Sequence, residues 1–371
     1  MKWNSNCPGK CPMVIVGAGF PLAIWDNNLP STANLLKITA EKDPDKFPII
    51  KRLIDGPCAN CGELSPSSDL NYVWTNIAFF GVALLSQYKE IRQDYSNFSP
   101  DSCITKLIRC RLKKFDPLHF ISTMLEIEIK HAISLHYKDK GCPDNLNDLL
   151  DLKNLLTGEF TQVTWLSLNY DVVLESLIDK EKGASDKWKY CFEQFFPHSV
   201  QCQKTKHVII KPHGSVNVWF NTDWNQNTHC LKYEKLDNLL VTCDPDKIGC
   251  ASPHDDSCEE RRPWLVGYLP DFMKGEHNSP GAFADCAHDL CKLNLTYAAL
   301  SLYSATSVYI LGYSMPSEDV WLWNRFTALL QTIKDKINIY VASGKKTDRI
   351  IKTFKDDGFV NVKYLSTDNR I

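Results

Sequence analysis

The sequence lacks a long apolar run, a charge excess and an apolar leader, and each absence excludes a class of protein. Its longest apolar run in a helical stretch, Ile77 to Leu85, is about half the length of a membrane span. The 42 Lys and Arg residues nearly balance 44 Asp and Glu residues, so no bulk positive charge favours nucleic acid. The first twelve residues are polar, unlike a secretory signal. These features predict a cytoplasmic protein that contacts neither a membrane nor nucleic acid directly.

A second CxxC pair at zinc-ribbon or zinc-finger spacing is also missing. Cys58-Ala-Asn-Cys61 is a lone CxxC, and the six cysteines between His229 and Cys291 never have the two-residue gap of a zinc knuckle. Fifteen cysteines in 371 residues are too sparse for a disulfide scaffold. The cysteines are therefore predicted to be reduced, with no metal site, and bound zinc stays open as the alternative.

Short apolar runs alternate with helical patterns along the chain. Several runs are rich in Val and Ile without clean alternation, which is typical of parallel strands covered on both faces. The predicted strands are Met13–Val16, Val163–Leu168, His207–Lys211, Ser307–Leu311, Ile337–Val341 and Val360–Tyr364. Helices are predicted at Asp171–Lys182 and Pro316–Ile333. The pattern predicts an α/β fold, a Rossmann-like doubly wound parallel sheet.

Two long stretches interrupt this alternation. From about 30 to 160 the pattern is mostly helical, with helices predicted at Tyr72–Gln87, Ile104–Leu112, Asp116–Tyr137 and Leu146–Leu156. From about 221 to 290 the chain is rich in Asp, Asn, Cys and Pro, and loops are predicted. We therefore expect residues 1–371 to form a single domain with a large helical insertion and a second, irregular insertion.

The first candidate site residues are Gly17, Ala18 and Gly19, where the first strand meets a helix. Glycines there allow a pyrophosphate to approach the backbone N–H groups and the helix N-terminus. The third glycine of the dinucleotide fingerprint is missing, and no acidic ribose-binding residue follows about twenty positions later. This argues against hydride transfer and leaves a ligand-free tight turn as the alternative.

Three more predicted strands deliver polar residues at their carboxyl ends. Asn169 and Asp171 follow the second strand, and Asp171 also suits a helix cap. His213 stands between Pro212 and Gly214 and has the chemistry of a base near neutral pH. The segment Gly312-Tyr313-Ser314 suits a ribose or phosphate oxygen. If the strands are parallel, all four turns meet at one edge of the sheet.

Together the four elements resemble the sirtuin-like (Sir2-like) superfamily. "GAGF" is similar to its opening GAG turn, "SLNYD" to the TTNYD-type element of the sirtuin-like NADases, "KPHGS" to KLHGS and "GYSMPSED" to the turn near the adenosine ribose. The GAGxS-GIPxFR stretch and the paired CxxC zinc module of the deacylases are absent. The resemblance therefore favours the NAD-hydrolysing branch, of the kind found in bacterial anti-phage defence.

The resemblance implies a function and a set of roles. NAD is expected as the substrate, cleaved to nicotinamide and ADP-ribose without a metal. Asn169 and His213 are the expected catalytic residues. The expected NAD-binding residues are Gly17, Ala18, Gly19, Asp171, Gly312, Tyr313 and Ser314.

Alternatives and partners also follow from the resemblance. The chain is expected to deplete cellular NAD upon phage infection, as a homo-oligomer or together with a co-encoded regulatory protein. An NAD-dependent protein deacylase and a non-catalytic sensor of NAD or ADP-ribose remain the alternatives. The residues leave open the trigger, the oligomeric state and whether the product is linear or cyclic ADP-ribose.

Overall fold

The computed structural model of the 371-residue chain describes most of the predicted sheet and its flanking helices. The described residues are 11–24, 29–31, 33–56, 70, 73, 77–97, 116–137, 150–158, 160–180, 188–191, 205–222, 229–233, 260–265, 282–315 and 319–365.

Ten strands and eleven α-helices are found among these described residues. The strands are β1 (Pro12–Val16), β2 (Val163–Ser167), β3 (Trp188–Tyr190), β4 (His207–Ile210), β5 (Gly214–Thr222), β6 (His229–Tyr233), β7 (Glu260–Leu265), β8 (Ser307–Leu311), β9 (Asn338–Ala342) and β10 (Val362–Tyr364). The helices are α1 (Gly19–Ile24), α2 (Leu35–Lys42), α3 (Pro48–Asp55), α4 (Ile77–Ala83), α5 (Tyr88–Ser96), α6 (Pro117–Tyr137), α7 (Leu150–Thr157), α8 (Val173–Lys180), α9 (Ala282–Tyr303), α10 (Val320–Gln331) and α11 (Thr347–Asp356).

The chain divides into two compact units. The first comprises Met1–Leu29, Asp139–Gly214 and Tyr268–Ile371, and the second comprises Pro30–Lys138 and Ser215–Gly267. The first unit contains the four motifs singled out in the sequence, apart from Ser215, which belongs to the second. The single-domain organisation expected from the sequence stays a prediction.

A seven-stranded parallel sheet forms the centre of the first unit. Its strand order is β10-β9-β8-β1-β2-β4-β3, and all its pairings are parallel. Every residue of β1, β2 and β4 is buried, as expected for strands covered on both faces. All six strands predicted for this sheet are confirmed, and the fold is a Rossmann-like α/β fold with a parallel sheet flanked by helices.

Strand β1 occupies the topological switch point of this sheet. Met13 pairs with Thr164 of β2 on one side and with Val308 of β8 on the other. The chain continues from β1 towards β2 and later returns to β8, on the opposite side of β1. In open α/β sheets, ligands bind outside the carboxyl ends of the strands at such a point.

Helices α8 and α10 confirm the two helices predicted beside the sheet, with shorter bounds. Helix α10 begins at Val320 instead of Pro316, and residues 316–318 lie outside the described residues. It buries Leu322, Phe326 and Leu330, which follow the spacing of a helix with one apolar face.

The second unit contains helices α2 to α6, which confirms the mostly helical character predicted after β1. Helix α3 starts against a carboxylate from another helix: Glu128 of α6 accepts hydrogen bonds from the backbone N–H groups of Ile49 (3.0 Å) and Ile50 (2.8 Å). The Tyr95 hydroxyl also donates to Glu128. The predicted helix Ile104–Leu112 lies outside the described residues.

The stretch predicted as irregular, about 221 to 290, contains regular structure. Strands β6 and β7 flank β5 in a three-stranded sheet, and helix α9 begins at Ala282. Strand β7 contains Pro263 and three charged residues, so its sequence lacks the alternation of apolar and polar residues that predicts a strand. Helix α9 has apolar residues on all sides, so its sequence gives no clear helical period.

Candidate functional site

The four motifs lie at the same edge of the parallel sheet. Strands β8, β1, β2 and β4 are consecutive neighbours, and the motifs follow their carboxyl ends in that order. The sequence prediction that these turns meet at one edge is therefore confirmed, although the strand order itself was not predicted.

The two glycine turns, after β1 and after β8, pack backbone against backbone. The N–H of Gly17 donates to the carbonyl of Leu311 (3.0 Å), and the N–H of Gly19 donates to the carbonyl of Gly312 (2.8 Å). A Cβ on Gly17 would lie 2.7 Å from the Cα of Tyr313, and one on Gly19 would lie 2.8 Å from the Gly312 oxygen. A side chain at either position would collide with the turn after β8, so glycine is required at both.

This packing changes how the first motif can act. The Gly19 N–H donates to the carbonyl of Gly312, and the Phe20 N–H donates to the carbonyl of Gly17 (2.9 Å). Because both N–H groups already have backbone acceptors, they are not available to bind a phosphate. Ala18 is the exposed residue of the turn. The roles of Gly17, Ala18 and Gly19 in NAD binding stay a prediction, and the structure places only Ala18 at the surface of the turn.

Asn169 ties β2 to the turn after β1. Its Nδ2 donates to the carbonyl oxygen of Gly17 (3.0 Å), and the side chain is nearly buried, at 7% exposure. This contact fixes the orientation of the amide group, with Nδ2 towards Gly17. The structure therefore gives Asn169 a defined orientation at the centre of the sheet edge, next to the strand that carries His213.

Asp171 occupies the start of helix α8. Its Oδ1 accepts a hydrogen bond from the Val173 N–H (3.0 Å), as a capping side chain does. Burial raises the pKa of its carboxyl to about 6, although the nearby Lys211 ammonium opposes this shift. The structure supports the helix-start role, and contact with NAD stays a prediction for this residue.

Lys211, two residues before His213, forms a buried ion pair. Its Nζ lies 2.9 Å from Glu175 Oε1, and both side chains are fully buried. The Tyr190 hydroxyl donates to the same Glu175 oxygen (2.8 Å), and Lys211 also donates to the carbonyl of Asp171. These contacts tie the end of β4 to helix α8 and so fix the backbone that carries His213.

Asn294 of helix α9 completes the support of β4. Its Oδ1 accepts hydrogen bonds from the Lys211 N–H (3.3 Å) and from the Cys191 thiol (3.1 Å). Sequence reasoning missed Lys211, Glu175 and Asn294, because a single charged or amide residue beside an apolar run gives no signal of a distant partner.

Breaking the buried ion pair should destabilise the protein strongly. Lys211→Met leaves the Glu175 carboxylate buried without its cation, which costs about 3–5 kcal/mol. The exposed Lys352→Met is the control and should change stability by less than ~0.5 kcal/mol. Urea unfolding measures both. A loss below ~1 kcal/mol in Lys211→Met would contradict the structural role given to this pair.

His213 is buried and lies beside the side chains of Asp319 and Tyr170. Its Nε2 lies 3.4 Å from Oδ1 of Asp319, and the Tyr313 hydroxyl donates to the other carboxylate oxygen, Oδ2 (3.0 Å). The ring of Tyr170 packs edge-on against the imidazole, with centroids 6.0 Å apart. Burial raises the pKa of Tyr170 well above its usual range, and the Asp319 carboxylate adds to this shift. Tyr170 is therefore a neutral phenol.

Asp319 was not singled out as a site residue in the sequence. There it reads as an acid in the first turn of a helix, where it suits the helix dipole. In the structure it is the N-cap residue of α10, yet its carboxylate makes no capping hydrogen bond. The one available signal was the "GYSMPSED" resemblance, which ends in an acidic residue.

Arg349 binds the backbone of the turn after β8. The Arg349 guanidinium donates to the carbonyls of Ser314 (2.6 Å) and Met315 (3.4 Å), and Met315 adopts a positive φ of 51°. Ser314 is exposed, whereas Tyr313 is 3% exposed and its hydroxyl is used by Asp319. NAD contacts by Gly312, Tyr313 and Ser314 stay predictions.

The described residues contain neither a candidate metal cluster nor a helix that could span a membrane. No group of three His, Cys, Asp or Glu side chains suited to a metal is found among them. Among the described residues, Cys11, Cys191 and Cys291 form no disulfide bond, and Cys58 and Cys61 lie outside the described residues. None of the described helices has both the length and the apolar character needed to cross a bilayer.

Comparison with known proteins yields a structural similarity alone. No protein-family model and no curated protein sequence matches the chain. Among solved structures, it is similar to a crystal structure of Sir2 in complex with the inhibitor EX-527, 2′-O-acetyl-ADP-ribose and a deacetylated p53 peptide. The alignment covers 97% of this chain and 90% of that chain, with 12% identity and a TM-score of 0.33. At this level of similarity, the functional argument rests on the residues of this chain.

Proposed function

We propose that this chain is an NAD glycohydrolase that cleaves NAD to nicotinamide and ADP-ribose. One observation carries the proposal: Asn169 and His213 follow neighbouring parallel strands, β2 and β4, at the edge where both glycine turns also lie. Both side chains are more than nine-tenths buried and are oriented by specific partners. Buried, oriented polar groups at such an edge are typical of a catalytic site.

The proposed reaction breaks the bond between C1′ of the nicotinamide ribose and the pyridinium nitrogen. The electron pair of that bond leaves with nicotinamide, and the ribose develops oxocarbenium character. Water adds to C1′, and its proton is accepted by the imidazole of His213. ADP-ribose and nicotinamide result, with one proton released in total. General-base assistance of this kind contributes ~10²–10⁴-fold to a rate.

The chain's own residues supply orientation in this proposal. Asn169, fixed by Gly17, positions the ribose hydroxyls or the attacking water. The exposed residues of the two turns, Ala18 and Ser314, face the pyrophosphate and the adenosine ribose. The neutral Tyr170 and the buried surroundings of His213 limit access of bulk water to the imidazole. No step of this mechanism uses a metal ion.

The cellular role proposed for this activity is defence. An effector that depletes NAD upon phage infection acts in the cytoplasm, and it stays inactive until a co-encoded partner or self-assembly triggers it. This role rests on the resemblance of the four motifs to the defence NADases. It is tested separately from the chemistry, by measuring NAD in infected cells with and without the gene.

A direct assay tests the proposed chemistry. The full chain is incubated with NAD, alone and with co-encoded proteins, and nicotinamide and ADP-ribose are quantified by chromatography. Equimolar nicotinamide and ADP-ribose, formed without an acyl peptide, are expected. Nicotinamide release that requires an acetylated peptide would instead make the chain a deacylase. NAD binding without turnover under every condition would make it a sensor.

A further inference from the structure

The contact between His213 and Asp319 joins two strand ends that are far apart in the sheet. His213 follows β4 and Asp319 follows the turn after β8, and β1 and β2 lie between these strands. Three strand spacings correspond to ~14 Å. The two residues are also far apart in the sequence, so their contact is a tertiary contact between the ends of two separate strands.

The orientation of Asp319 is unusual for an acid at the start of a helix. Such a side chain ordinarily accepts hydrogen bonds from the first backbone N–H groups of its own helix. Asp319 makes no such bond, and it is only 8% exposed. Instead the Tyr313 hydroxyl holds Oδ2, and Oδ1 faces His213 Nε2 at 3.4 Å. The carboxylate is therefore fixed towards the imidazole at the expense of capping.

The other ionisable groups around this pair do not compete for the proton. Tyr170 packs edge-on against His213, and its raised pKa keeps it neutral. Tyr313 donates its hydroxyl hydrogen to Asp319. Lys211, the nearest cation in the sequence, is paired with Glu175. Within the part of the chain that the structure describes, the ion-pair partner of the Asp319 carboxylate is the imidazole of His213.

We propose that Asp319 is a positioning residue that holds the Nε2–H of His213, so that Nδ1 is the nitrogen that accepts the proton. This inference rests on the proposed NAD glycohydrolase function. When water adds to C1′, one of its O–H bonds breaks and the proton forms a bond to Nδ1. The resulting imidazolium lies opposite the carboxylate of Asp319, and Tyr313 holds that carboxylate in place.

Nuclear magnetic resonance of the imidazole tests this inference without any turnover. The full chain, labelled with ¹⁵N-histidine, is titrated with pH, and the His213 signals are assigned by their loss in His213→Gln. The wild type should show the tautomer protonated at Nε2. In Asp319→Asn, whose amide oxygen can still accept the Nε2–H but carries no charge, we expect the tautomer preference to weaken and the His213 pKa to fall, because an opposite charge has been removed.

A matched control separates this effect from the general effect of an acid at a helix start. Asp348 lies in the first turn of α11, is exposed and contacts Tyr364. Asp348→Asn removes the same charge from the start of another helix and should leave the His213 tautomer and pKa unchanged. Tyr313→Phe, which removes the hydrogen bond to Asp319, should shift His213 in the same direction as Asp319→Asn but less.

Kinetics add a readout that a purely structural role would not change. Asp319→Asn should reduce kcat/KM for nicotinamide release by ~10–10²-fold and move the acidic limb of the pH profile to lower pH. An unchanged His213 tautomer and pKa in Asp319→Asn would overturn the inference, whatever the activity. Absence of NAD cleavage by the wild type under every condition, with co-encoded proteins supplied, would overturn the proposed function, while the magnetic resonance data would still decide the pairing.

Discussion

Replacing His213 by alanine should reduce the rate of nicotinamide release from NAD by ~10²–10⁴-fold. The physical reason is that the attacking water then has no buried base to take its proton. The loss should appear in kcat, because the imidazole acts on the reacting water and not on the adenosine half of NAD. Steady-state kinetics on the activated chain measure it, with the affinity for ADP-ribose as the binding readout.

His213→Gln sharpens this prediction. Its amide can still contact the Asp319 carboxylate, but it cannot accept a proton near neutral pH. A base role therefore predicts a loss as large as in His213→Ala, whereas a purely structural role predicts that glutamine restores activity. Thermal unfolding of both variants verifies that the fold is retained. Wild-type turnover in either variant would show that His213 is not the catalytic base.

Asn169→Ala is the companion variant for the same prediction. It removes the hydrogen bond from Nδ2 to the Gly17 carbonyl and the group that orients the ribose or water. We expect a similar loss of kcat, together with weaker binding of ADP-ribose, because the turn after β1 loses its anchor. Retained wild-type rates in both Asn169→Ala and His213→Ala would contradict the assignment of catalysis to this sheet edge.

Gly312→Ala should be the most destabilising of the glycine variants. Gly312 adopts a φ of 60°, and a Cβ there would lie 2.1 Å from the backbone nitrogen of Phe20. The left-handed conformation and the clash with a neighbouring turn together cost about 3–5 kcal/mol. Chemical denaturation monitored by circular dichroism measures this cost.

Gly344 provides a matched control for that variant. It has a similar φ of 52°, but a Cβ there would meet no atom within 4 Å. Gly344→Ala therefore isolates the conformational cost, about 1–2 kcal/mol. If Gly312→Ala does not fold, Gly19→Ala, whose Cβ would lie 2.8 Å from the Gly312 oxygen, gives a milder version of the same clash. Equal stability of Gly312→Ala and Gly344→Ala would show that the two turns do not pack as described.

The glycines show what could be predicted from the sequence and what required the structure. The sequence marked Gly17 and Gly19 as positions where a side chain would obstruct a close approach, and Gly312 as part of a turn that suits a ribose or phosphate oxygen. It could not tell whether the approaching group is a phosphate or another turn of the chain. The structure answers that question for the Gly19 N–H, which donates to the carbonyl of Gly312 (2.8 Å).

The parallel sheet was predictable because its strands are local signals. A buried parallel strand is a short run of apolar residues, and six such runs were recognised without knowledge of their neighbours. Short β3 and the polar β7 gave no such run and were missed. The strand order was not predictable, because it depends on which distant segments pair, and the sequence contains no local record of that pairing.

The same distinction applies to the site. Asn169 and His213 could be proposed from the sequence because they directly follow predicted strands. Asp319, the residue proposed to orient His213, follows a different strand and resembles an ordinary helix-start acid. The support of His213 through Lys211 and Glu175 likewise joins different elements. Local patterns identify residues that carry chemistry, whereas the residues that orient them depend on tertiary contacts.

The central claim is that four strand-end turns form one NAD site, and a crystal structure of the His213→Ala chain with NAD tests it most directly. The account predicts NAD at the carboxyl edge of β8, β1, β2 and β4, with its nicotinamide ribose beside Asn169 and residue 213. NAD bound elsewhere on the chain, with this edge filled by the protein's own side chains, would contradict it.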